Sequence, residues 1–140
     1  MLAGPTQDER EVLGAIPYQR NETVLHTDES VMPERRAAWA SWNFHLDPDP
    51  GLTTLTYDMN RLQRIETAKT RFLVTLNRTA TIDPDNVIRR IGYDHPVFTN
   101  EGMRAQERWD EISGADRIHY CGAYCRSGFH QGGCWSWPRC

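Results

Sequence analysis

The run Asp47-Pro48-Asp49-Pro50-Gly51 constrains this chain more than any other stretch. Two prolines remove backbone donors and fix φ, and the glycine that follows permits a reversal, so neither helix nor strand continues through it. On one side, Trp39–Leu46 places Trp42, Phe44 and Leu46 in alternation. On the other, Leu52–Met59 places Leu55 and Tyr57 on one face. Alternation with period two is the signature of a half-buried strand. The two runs are therefore expected to pair as an antiparallel hairpin across Asp47–Gly51, with most of the hairpin aromatics in the core.

More strand signals follow the same logic. Thr23–Thr27, Arg71–Asn77 and Val87–Tyr93 are rich in β-branched and apolar residues. Asn60–Thr70 is polar and reads as a loop or short helix. A short helical pattern precedes Pro17, and a helix over Glu101–Ile112 is expected, capped by Thr99 or Asn100 and ended by Gly114. Arg117–Cys121 reads as a final strand running into Gly122. The expected class is α+β, mainly antiparallel sheet.

Composition excludes several functions. Sixteen Lys+Arg against nineteen Asp+Glu give a net charge of -3, without a basic stripe, so nucleic acid is not an expected partner. No apolar run is long enough to cross a membrane. Met1–Arg10 is polar and lacks a signal-peptide core, which points to the cytoplasm.

Cys121, Cys125, Cys134 and Cys140 all fall in the last twenty residues, close to His119 and His130. Unrelated thiols are the expected reading, so no metal ligands are assigned. A zinc-binding, Cys-rich tail on a non-catalytic α+β binding module is the alternative. His26, His45 and His95 are scattered without ligand spacing, and Asp58 with Asn60-Arg61 reads as structural hydrogen bonding. No general base or other catalytic residue is identified.

The stretch Tyr120–Gly133 runs from the expected strand into Gly-Ala and then a second glycine cluster. Glycines permit close backbone approach, and free N–H groups at a helix start bind electron-rich atoms. A phosphate or cofactor contact and an ordinary tight turn both account for it.

The sequence Cys121-Gly122-Ala123-Tyr124, then Gly128-Phe129-His130, then Gly132-Gly133, resembles the C-terminal flavin-binding segment of the predicted NAD/FAD-binding proteins of the amine-oxidase-like superfamily. Val24–Asp28, Arg36–Asn43, Thr56–Gln63, Val74–Asn77 and His95–Phe98 resemble the same family. The resemblance covers about Ile16 to His130. It implies an FAD-dependent oxidoreductase acting on a small-molecule substrate. Residues 1–116 would belong to its substrate domain, and residues 117–140 to the last strand, glycine turn and tail of its FAD domain. Gly122 and Ala123 would pass near the diphosphate and ribityl chain. Gly128, Phe129, His130 and Gly133 would approach the flavin ring.

The chain has no Gly-x-Gly-x-x-Gly, the loop that holds the FAD diphosphate in such enzymes. The Rossmann half is thus absent, FAD is not expected to stay on this chain alone, and the missing N-terminal half becomes a candidate partner. Gln131-Gly132 stands where the family has an acidic pair. Cys134–Cys140, with two tryptophans and Pro138, replaces the family's helix. Both ends read as those of a partial gene product, inactive by itself.

Overall fold

The computed structural model describes residues 2–46 and 51–128. It is an α+β fold with a five-stranded antiparallel sheet and four helices among the described residues. Two compact units divide it: residues 20–94 form one, and residues 1–19 with 95–140 form the other.

The sheet contains β1 (Tyr18–His26), β2 (Trp42–His45), β3 (Thr54–Asp58), β4 (Leu73–Leu76) and β5 (Val87–Pro96), in the spatial order β2-β3-β4-β1-β5. The expected hairpin forms: Trp42 pairs with Tyr57 and Phe44 with Leu55. Its first strand begins at Trp42 rather than Trp39. Trp39 is buried, its ring nitrogen donating to the Pro33 carbonyl at 2.7 Å, with Arg36 and Arg71 stacked over its ring. The turn residues 47–50 lie outside the described residues.

The buried face of the hairpin is the opposite of the one expected. Trp42, Phe44 and Leu46 are exposed, whereas Asn43 between them is buried. The Asn43 side chain accepts from the Ala40 amide at 3.0 Å and donates to the Ala40 carbonyl at 3.0 Å. A buried amide with its hydrogen bonds made is tolerated in a core, so local bonding outweighs the gain from turning two aromatics inward.

Register then assigns the faces. Trp42, Tyr57, Val74 and Leu25 form one cross-strand row, and Phe44, Leu55, Leu76 and Thr23 the next, both on one face. The other face carries Asn43, Thr56, Thr75 and Val24, then Asp58, Leu73 and His26. All seven are buried. Val31, Met32, Trp39 and Ile82 close the core from connecting segments that hold four short 3-10 turns (Glu29–Val31, Arg36–Ala38, Thr79–Thr81 and Pro84–Asn86).

α1 (Gln7–Gly14) starts at a capping box: the Glu9 amide donates to Thr6 Oγ1, and the Thr6 amide to Glu9 Oε2. The single helix expected over 101–112 is two, α3 (Asn100–Glu107) and α4 (Trp109–Ile112), broken at Arg108. Thr99 caps α3, as expected, by accepting from the Gly102 amide at 3.0 Å. Val12, Ala105 and Ile112 form the core of this unit. A four-residue helix, α2 (Met59–Leu62), follows β3.

Residues 117–121 do not form the expected strand. After Gly114 the chain makes a 3-10 turn, Ala115–Arg117, with Asp116 and Arg117 at positive φ. The Tyr120 carbonyl accepts from the Trp109 ring nitrogen at 2.8 Å, and the Ile118 carbonyl from the Gly114 amide at 2.8 Å. These groups are taken by α4 and its C-terminal turn instead of by a neighbouring strand.

The face assignment is testable by urea unfolding. Leu73→Ala, at a fully buried position, is expected to cost about 2–5 kcal/mol. Phe44→Ser on the opposite face is expected to cost less than about 1 kcal/mol. A larger loss at Phe44 than at Leu73 would reverse the assignment.

Candidate functional site

Polar or concave chemistry gathers at several places among the described residues. The first is a hydrogen-bonded ladder across the buried sheet face. His26 Nε2 meets Thr75 Oγ1 at 2.8 Å, Thr75 Oγ1 meets Thr56 Oγ1 at 2.9 Å, and Thr56 Oγ1 meets His45 Nε2 at 2.9 Å. Fixed donors set both histidine tautomers. The Asp28 amide donates to His26 Nδ1 at 3.1 Å, and the Arg78 guanidinium, which can only donate, approaches His45 Nδ1 at 2.8 Å. Each neutral ring therefore keeps its proton on Nε2 and donates it to a threonine.

Protons point inward from both ends of the ladder, so it cannot pass one from end to end. It is a clamp joining four strands. Both histidines titrate below their ordinary value. Burial is the larger cause in each case; a nearby Asp28 opposes it at His26, and the Arg78 charge adds to it at His45. Asp28 is held below the carboxylate range. Burial works against its charge, but bonds from the Asp83 amide and from Ser30 prevail.

The second place is the segment after β3. Asp58 is fully buried, pairs with Arg61 at 3.2 Å and with Arg71, and caps α2 by accepting from the Arg61 amide at 3.3 Å. Asn60 donates to the Thr70 carbonyl at 3.0 Å and accepts from the Phe72 amide at 2.8 Å. The structural reading of Asp58 and Asn60-Arg61 is borne out. This bracing shapes two adjoining concavities. One, of about 440 Å³, is lined by Arg61, Arg64, Glu66 and Arg71. The other, of about 360 Å³, is an apolar groove on the open sheet face, lined by Leu25, Ile65, Phe72, Val74, Ile91 and Tyr93. Ile65 belongs to both. Thr23 also lines the groove, and its buried hydroxyl has no hydrogen-bond partner among the described residues.

The third place holds the glycines singled out in the sequence. Gly122, Ala123 and Gly128 share one compact turn: the Cys125 amide donates to the Gly122 carbonyl at 3.1 Å and the Gly128 amide to the Ala123 carbonyl at 2.9 Å. Gln106 on α3 pins it through the Tyr124 and Arg126 carbonyls. Gly128 has φ +82°, and a Cβ there would press on the Phe98 ring. The tight-turn reading thus has a local cause at Gly128. Phe129, His130 and Gly133 lie outside the described residues, as do Cys134–Cys140. Cys121 is exposed and Cys125 buried. Among the described residues, no three of His, Cys, Asp and Glu converge as for a metal ion.

Near that turn, the Tyr120 hydroxyl donates to Glu9. The Tyr120 phenol is pushed up to about 12, first by burial and then by the Glu9 carboxylate. Glu9 is held low, mainly by the Tyr120 bond.

Sequence reasoning missed the ladder and the groove. His26 and His45 looked scattered because strand pairing, not spacing along the chain, joins them. A signal for the ladder was present: Thr75 interrupts the apolar run Leu73–Leu76, and Thr56 lies between Leu55 and Tyr57.

No family model and no curated protein matches this chain.

Two measurements check these assignments. Histidine pKa values depressed in the fold contribute stability that is complete above the unfolded value near 6.5 and is lost as pH falls below it. The melting temperature is therefore expected to fall between pH 7.5 and 5, with NMR showing both rings as the Nε2–H tautomer at pH 7.5. A flat profile, or an Nδ1–H ring, contradicts the ladder. Separately, Thr23→Val removes an unpaired buried hydroxyl and is expected to raise stability by up to about 1 kcal/mol. A loss greater than that would show that the hydroxyl has a partner.

Proposed function

We propose that this chain is the substrate-domain part of an FAD-dependent oxidoreductase of the amine-oxidase-like class, inactive by itself. The observation that supports the reading most is the asymmetry of the sheet. One face is closed by its own connecting segments. The other is apolar, partly exposed, and holds a groove of about 360 Å³, within the size range of small-molecule sites. An open apolar sheet face is what a substrate domain needs to wall a flavin ring and its substrate.

The residues fit the ring side of the cofactor and not its diphosphate side. Leu25, Val74 and Tyr93 offer an apolar wall to a planar ring. The diphosphate calls for a Gly-x-Gly-x-x-Gly loop, which the chain lacks. In the turn at 122–128, the amides of Cys125, Arg126 and Gly128 are already bonded to carbonyls of the same turn. Gly122, Ala123, Gly128, Phe129, His130 and Gly133 come to this reading from the family resemblance, as contacts made once a dinucleotide-binding half is present as partner. The flavin supplies the hydride chemistry, while this chain's residues orient the substrate and exclude water.

No described helix is long and apolar enough to cross a membrane, and we place the enzyme in the cytoplasm. The zinc-binding module remains the alternative, and stoichiometric zinc in the purified chain would favour it.

The purified chain, incubated with excess FAD and desalted, is expected to retain no flavin band. Riboflavin in excess is expected to shift the amide resonances of Leu25, Val74 and Tyr93. Unchanged resonances there would overturn the reading, and FAD retained near one per chain would overturn the need for a second half.

A further inference from the structure

The segment 59–66 separates two concavities of opposite character. Met59, Gln63 and Ile65 line the apolar groove, while Asn60, Arg61, Arg64 and Glu66 line the other cavity together with Ile65. The charges there are not equivalent. Arg61 and Arg71 are both committed to the buried Asp58 carboxylate, and Arg71 also lies 3.7 Å from Glu29. Arg64 is exposed and forms no ion pair among the described residues. It also sits at φ +53°, a backbone conformation that favours glycine or asparagine over arginine. The cation at this position is therefore held where local conformation does not call for it. The groove side is mostly apolar, with Thr23 and Gln63 among its lining residues.

We propose that the two concavities form one site for an amphiphilic acid. Its apolar body lies at the Ile65 end of the groove, over Met59, Ile65 and Phe72, and its anionic group meets Arg64 across Ile65. Charge complementarity selects the acid over an amine or a neutral alcohol, because the cation without a partner faces a cavity with a single lining acid, Glu66. The inference deepens the flavoenzyme reading and rests on it only in calling this acid a substrate. Binding itself needs no flavin.

The test uses the full chain and calorimetric titration with decanoate, decyl phosphate, decanol and decyltrimethylammonium, all below their micelle concentrations. Decanoate is expected to bind more tightly than decanol by roughly fivefold, the scale of an exposed arginine–carboxylate pair. Decyltrimethylammonium is expected to bind most weakly. Arg64→Asn suits the left-handed backbone and removes the charge, so it should fold while erasing the preference for decanoate over decanol. Arg64→Lys should keep that preference. Decyl phosphate binding more tightly than decanoate would assign the anion as a phosphate; the reverse order assigns it as a carboxylate.

Equal affinity for decanoate and decanol, an unchanged preference in Arg64→Asn, or no binding of decanoate would each overturn the proposal. So would cosedimentation with phosphatidylglycerol vesicles without decanoate binding, which would make Arg64 part of a membrane-facing surface. A failure here leaves the riboflavin titration standing, and a failed riboflavin titration leaves the acid site standing.

Discussion

Two threonine hydroxyls, Thr56 and Thr75, meet at 2.9 Å in the middle of the sheet, each also bonded to a histidine. The rest of the larger unit depends on this contact. A hydroxyl taken from water without a partner costs on the order of 1–3 kcal/mol, so the two strands must stay in the register that pairs them. A slip of one residue would place Thr56 opposite a different row and break three bonds together. The histidines carry the constraint outward to β1 and β2, where the Asp28 amide and Arg78 end it. Each side chain of the network has a hydrogen-bond partner, and such a bonded polar row ties the strands to one register.

Because the polar row is buried, the apolar rows lie on the other side. Leu25, Val74, Tyr57 and Leu76 are only half-buried, and Trp42 and Phe44 are exposed. The sheet thus departs from the usual antiparallel arrangement: its covered face carries a polar row beside the core residues Val24 and Leu73, and apolar side chains are left on the open face. The open face becomes a concave surface because the segment after β3 folds over its edge. Asp58 holds that segment in place: it is the cap of α2, the partner of Arg61 and Arg71, and one residue away from Met59 in the groove wall. A single buried carboxylate therefore links the sheet to both concavities.

The hairpin was legible because its determinants are local. A double Asp-Pro turn and two alternating runs decide it within about twenty residues. β1, β4 and β5 follow from β-branched composition, and the Thr99 cap follows from a short polar side chain ahead of a helical pattern. Each error has its own physical origin. Periodicity reports that Trp42, Phe44 and Leu46 share a face, but says nothing of whether that face is covered. The expected strand at 117–121 failed because Trp109, Ser113 and Gly114 take up its backbone groups. The one-helix reading of 101–112 failed at Arg108, whose side chain pairs with both Glu111 and Glu11 while its backbone leaves the helix.

By itself, the sequence determined the strands, their α+β class, the hairpin and the turn chemistry at the glycines. These depend on contacts and dihedral preferances within a few residues of one another, which the order of side chains specifies directly. The tertiary structure alone decided which sheet face is closed, which histidines meet, and that Arg64 and Leu25 line neighbouring concavities. Those outcomes depend on cross-strand register and on connecting segments packing over one face. Residues as far apart as His26 and Thr75, 49 positions along the chain, come within hydrogen-bonding distance only when that register is set.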